Sequence, residues 1–152
     1  MATAEQTASA EQETKKQEPA RQLFRGPFKT IAAALVGAQL NAKAVAKDAT
    51  NEWHKYKYAS AESLIEEARS ALNAAGLATI MERWEILPPL EGNEFQRIKI
   101  YFKTVHADSE QTLPGDVEYH IVPEKGRPDD KATATALTYA EGYYLRGLLC
   151  LP

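Results

Sequence analysis

The sequence predicts an α+β domain: an antiparallel sheet of three to four strands with helices packed on one face. Three observations carry this. Strand-like segments follow one another between Leu77 and Ile121 instead of alternating with helices, which favours antiparallel pairing. Residues 95–106 alternate apolar and basic side chains at period two, the mark of a strand with one buried face. The flanking segments repeat apolar residues at helical spacing. At 152 residues, with 44% hydrophobic and 9% aromatic content, the chain fits one domain with its own core.

The elements follow in order. Residues 1–22 hold no large apolar residue after Met1, so they cannot bury enough surface to offset their ordering entropy and read as a disordered tail. The domain then runs over 23–152. Phe28, Ile31, Leu35, Ala38, Ala42 and Val45 define a first helix, with Pro27 suited to its first position. Asn51–Tyr58 alternates rings and polar groups, as a short strand or an ordered loop. A second helix is capped by Ser60, striped by Leu64, Ile65, Ala68, Leu72 and Ala75, and ended by Gly76.

Leu77–Leu87 is a strand with Ile80, Trp84 and Ile86 on one face, stopped by Pro88-Pro89. The next strand buries Ile98, Ile100, Phe102 and Thr104 and presents Arg97, Lys99, Tyr101 and Lys103 on the other side. Leu113-Pro114-Gly115 reads as a turn, and Val117, Tyr119 and Ile121 as a third strand. After a loop carrying Lys125 and Arg127, Asp129 or Asp130 can cap a last helix whose face is Ala134, Leu137, Ala140, Tyr144 and Leu148.

Several classes of chemistry lack their sequence equipment. No P-loop string occurs, so no nucleotide cofactor is expected. His54, His106 and His120 lie in three separate segments without a nucleophile elbow, and no catalytic residue is singled out. A single cysteine, Cys150, permits no intrachain disulfide; it reads as a small core residue, and no zinc-like spacing or other metal site is seen. Glu66-Glu67 and Asp129-Asp130 read as solvated or capping acids. With no apolar run of about 18 residues and no signal peptide, a cytoplasmic protein without membrane contact is expected.

Two strings resemble a known family. Lys55–Leu77, K-Y-K-Y-A-S-A-E-S-L-I-E-E-A-R-S-A-L-N-A-A-G-L, is similar to the first signature of the Erf (essential recombination function) family of phage single-strand annealing proteins. Thr133–Ala140 followed by Tyr143-Tyr144-Leu145 resembles its second. The resemblance covers about Phe28–Leu151. Ala134 stands where the family usually has Gly, and Glu141-Gly142 replace a commonly basic pair, with Arg146 one helical turn on as a substitute.

The resemblance implies ATP-independent annealing of complementary single-stranded DNA by a homo-oligomeric ring or filament in phage recombination. It further implies a strand-strand-strand-helix core, and a phage exonuclease is the candidate partner. The rival reading is an oligomeric protein-protein interaction module of the same fold that lacks annealing activity.

Annealing calls for cations that grip the phosphate backbone, with aromatic platforms beside them, while base edges stay free. The total charge of -3 hides a local excess: residues 23–76 hold seven positive against five negative side chains. Lys55, Tyr56, Lys57 and Tyr58 interleave charge and ring, and are the leading DNA-contact candidates together with the family match. Pattern alone favours tyrosines packed in a core and solvated lysines, and it is the resemblance that turns Lys55 and Lys57 toward DNA. Arg97, Lys99, Lys103 and Arg146 are the secondary candidates, the strand cations being able to line the same groove. Gly142 and the Ala-rich helices suit close helix contact, either between subunits or within the domain.

Overall fold

The structure, a computed structural model, describes residues 23–51, 55–123 and 128–152. The expected tail, with Trp53, His54, Lys125 and Arg127, lies outside the described residues. The order is α1 (Ile31–Asn41), β1 (Ala49–Asn51), β2 (Tyr56–Tyr58), α2 (Ala61–Ala74), β3 (Leu77–Leu87), β4 (Arg97–His106), β5 (Thr112–His120) and α3 (Asp129–Leu148). This is an α+β fold: an antiparallel sheet ordered β3-β4-β5 under the helices, with β1 and β2 forming a separate two-stranded hairpin. The strand-strand-strand-helix order is thus present as β3-β4-β5-α3.

The central strand follows its sequence pattern throughout. In β4 every second residue is buried, with Ile98, Ile100, Phe102, Thr104 and His106 on the helix side. Above them α3 lays Ala136 and Ala140, and Tyr144 stacks on Phe102 with centroids 4.2 Å apart. That stack explains a residue misplaced by the sequence reading. Leu113-Pro114-Gly115 is no turn but part of β5; Pro114 is tolerated because β5 is an edge strand. Gly115 is required because a Cβ there would come within 2.5 Å of the Tyr144 hydroxyl. The real turn lies at 107–110, where Glu110 takes a positive φ of 57°.

A second apolar cluster joins α1, α2 and the chain's end through Ala34, Ala38, Ala68, Leu72, Leu77, Leu145, Leu149 and Leu151. Ser60 caps α2 as expected, accepting from the Ser63 N–H at 3.2 Å, and Gly76 takes the left-handed conformation with φ 72°. Gly142 packs within the domain: its Cα approaches so closely that an added Cβ would lie 3.4 Å from Ala61 Cβ. Small residues here let α3 and α2 touch.

Five further expectations are corrected. Thr30, not Pro27, introduces α1, its hydroxyl accepting from the Ala33 N–H, and the helix ends at Asn41 before Ala42 and Val45. A bulge between Met81 and Arg83 turns β3 over, so Ile80 pairs with Lys103 on the open face while Trp84 and Ile86 pair with Ile100 and Ile98 on the helix side. Ala134 is exposed, because the buried stripe of α3 runs through Ala136, Ala140 and Leu145; the cap position of that helix belongs to Pro128. Cys150 is exposed with φ 52°, and Leu149 and Leu151 beside it fill the core.

Candidate nucleic-acid interface

The hairpin is held over the domain from two sides. At its start Asp48 accepts from Ser63 Oγ at 2.5 Å, from the Ser60 N–H at 2.8 Å and from Ser60 Oγ at 2.9 Å. These bonds, that from Ser63 first, hold its carboxyl down at about 2. A negative charge at the N-terminus of α2 is also favoured by the helix dipole. At its other strand Tyr58 shares a hydrogen bond with Tyr139 of α3. Burial first, then the neighbouring Tyr58, raises the Tyr139 phenol above its usual range.

Between the hairpin, α3 and β5 lies a cleft of about 820 Å³. Its cations are Lys47, Lys57 and Arg146, and its rings are Tyr56, Tyr58, Tyr119, Tyr139 and Tyr143. No Asp or Glu side chain lines it among the described residues. Lys57 is exposed, while Arg146 donates from Nε to the Leu151 carbonyl at 3.2 Å, which fixes its stem at the cleft edge. Tyr119 lies nearly parallel to both Tyr139 and Tyr143, at centroid distances of 6.1 Å and 5.7 Å. Burial raises the Tyr119 phenol as well, followed by the effect of Tyr143.

The sequence candidates divide. Tyr56, Lys57, Tyr58 and Arg146 converge on the cleft. Lys55 stays outside its lining, exposed at the hairpin turn with φ 54° and donating its N–H to the Asn51 carbonyl at 2.8 Å. Arg97, Lys99 and Lys103 do not join a common groove, since they point to the open face of the sheet while the cleft lies on the helix side.

On that open face each cation meets acids from an adjacent strand. Arg97 binds Glu118 and Lys103 binds Glu82. Lys99 lies 3.2 Å from Asp116 and 3.4 Å from Glu118, and its pKa is raised, chiefly by the Asp116 bond. Tyr101 is engaged as well: Arg83 lies 3.5 Å over its ring and its hydroxyl donates to Glu85 at 2.6 Å.

Four cleft residues escaped the sequence reading: Lys47, Tyr119, Tyr139 and Tyr143. The one local signal was the i, i+4 spacing of Tyr139 and Tyr143, which places both rings on one helix face. The basic pair replaced by Glu141-Gly142 does not touch the cleft; Glu141 lines a separate hollow with Arg69 and Asn73, and Gly142 faces Ala61. Among the described residues no group of three or more His, Cys, Asp or Glu side chains could hold a metal ion, and no helix is long and apolar enough to cross a membrane.

No curated protein matches the chain. A family model does match, over residues 31–152, which takes in every element from α1 to the C-terminus. With both signature strings inside that span, and folded into the hairpin, α2 and α3 that build the cleft, the chain belongs to the ERF superfamily.

Proposed function

We propose that the protein binds single-stranded DNA and anneals complementary strands without ATP, as a homo-oligomeric ring or filament acting in phage recombination in the host cytoplasm. The observation that carries this reading is the cleft: three cations, five tyrosines and, among the described residues, no lining Asp or Glu side chain, in a chain whose total charge is negative. Cations take the phosphates and rings support the bases, with no sequence-reading hydrogen bond required. Membership of the ERF superfamily supports the same reading. Lys57 and Arg146 are the phosphate contacts, with Lys47 added from the geometry.

Assembly follows from the arithmetic of a weak site. Three phosphate contacts give a salt slope of only about 2 for a single strand, so one subunit holds DNA poorly. Repeating the site along one strand raises avidity by orders of magnitude. An uncovered apolar row on the edge strand β3 supports subunit contact: Met81, Trp84 and Ile86 are 36%, 46% and 47% exposed. Annealing also needs unpaired strands, which a phage exonuclease degrading one strand of a duplex would provide.

The test is annealing of two complementary oligonucleotides without ATP across a salt series. Accelerated pairing that fades with added salt is the expected result, and a protein that neither binds nor anneals single strands in dilute buffer overturns the proposal. In gel filtration, Trp84→Ser with Ile86→Ser should shift the protein to smaller species with little change in melting temperature. An unchanged elution position would remove β3 from the subunit contact.

A further inference from the structure

Of the five rings in the cleft, Tyr119, Tyr139 and Tyr143 stack on one another. Tyr139 and Tyr143 stand one turn apart on α3, and Tyr119 reaches up from β5 to lie nearly parallel to both. Tyr139 and Tyr119 are largely enclosed, but Tyr143 is 49% exposed at the end of the stack. A core would use aliphatic side chains here. Parallel rings ending in a half-exposed one, beside cations, instead offer an aromatic face to something both flat and anionic.

We infer that Tyr143, held from below by Tyr119, is a stacking platform for a nucleobase of the bound single strand, whose phosphates Lys57 and Arg146 take. The inference rests on the proposed single-strand binding and adds the base to it. Stacking engages the face of a base and leaves its pairing edge free, so a platform orders the strand without blocking a search for the complement. Tyr119 acts here as a positioning residue: its ring fixes the plane of Tyr143, while the hydrogen bond between Tyr139 and Tyr58 ties the platform to the strand that carries Lys57. The same platform serves any base, because each has a π face.

The test compares a short end-labelled oligodeoxythymidylate with an abasic strand of equal length and charge, by fluorescence anisotropy at one fixed low salt. Wild type should prefer the strand with bases by about 5- to 150-fold, the range of one stacked base. Tyr143→Phe should keep that preference, whereas Tyr143→Leu, which retains apolar bulk without an aromatic face, should lose it while binding the abasic strand as before. Circular dichroism confirms that each variant is folded.

Equal binding of both strands by wild type overturns the platform and leaves the phosphate grip standing. So does a preference that survives in Tyr143→Leu. Binding of neither strand overturns the grip and the platform together.

Discussion

The cleft and the open face of the sheet are built from the same residue types and have opposite electrostatic character. The cleft holds Lys47, Lys57 and Arg146 with tyrosines beside them, and the open face holds Arg83, Arg97, Lys99 and Lys103 around Tyr101. On the sheet the antiparallel register sets each cation against carboxylates on neighbouring strands, and Arg83 and Glu85 occupy Tyr101. In the cleft no Asp or Glu side chain is present among the described residues, and the rings stack on one another. The lesson is that a basic row is available to an anionic ligand only where the fold leaves it without internal counter-charges.

The largest effect should come from removing cleft cations. Lys57→Ala with Arg146→Ala should weaken single-strand binding about tenfold or more at low salt, for all sequences alike, and make the salt slope shallower by about 1.4. Lys99→Ala with Lys103→Ala removes as much charge from the sheet and should leave the slope unchanged. Titrations of one labelled oligonucleotide at several salt concentrations decide it. Equal losses from the two pairs would abolish the distinction.

A smaller effect of opposite sign comes from releasing the sheet cations. Asp116→Asn with Glu118→Gln takes away the partners of Arg97 and Lys99. Partly exposed pairs of this kind contribute little to stability, so the fold should survive. Single-strand binding should then rise severalfold at low salt and the slope should steepen, by up to about 1.4 if both cations find phosphates. Unchanged binding would mean that geometry, and not internal pairing, silences this face.

Much of this molecule is legible in its sequence where the cause is local. The alternation of β4 reports a strand with one side against helices, and Gly76 marks a left-handed helix end because its φ of 72° suits glycine. The bulge in β3 leaves no local trace, since one extra residue near Glu82 reverses the faces without altering composition. Pro114-Gly115 misleads because its causes are remote: an unpaired sheet edge and the Tyr144 ring.

The candidate site divides in the same way. Interleaved charge and ring at Tyr56–Tyr58 is visible along the chain, and Lys57 and Tyr58 do reach the cleft. Tyr119, Lys47 and the pair on α3 meet only through packing of the hairpin, β5 and α3, and no spacing encodes that meeting. The strand cations Arg97, Lys99 and Lys103 show the converse. Their counter-ions at Glu82, Asp116 and Glu118 become neighbours only through strand register.

The smallest expected effect concerns how the hairpin is aimed rather than which charges it carries. Asp48 anchors the start of the hairpin to the first turn of α2, and its folded pKa of about 2 lies below the ordinary 3.8. Because the folded value is depressed, the stabilisation is complete above about pH 4 and is lost as pH falls through about 2. Melting temperatures of wild type and Asp48→Asn should therefore converge across that acid window and differ above it. At neutral pH the variant should bind single strands more weakly, since Lys57 is less well placed. Its salt slope should not change, because no cation has been removed. A shallower slope in Asp48→Asn would mean that the anchor decides whether Lys57 reaches the phosphates at all, and the contrast between cleft and sheet would then rest on hairpin position as much as on counter-charge.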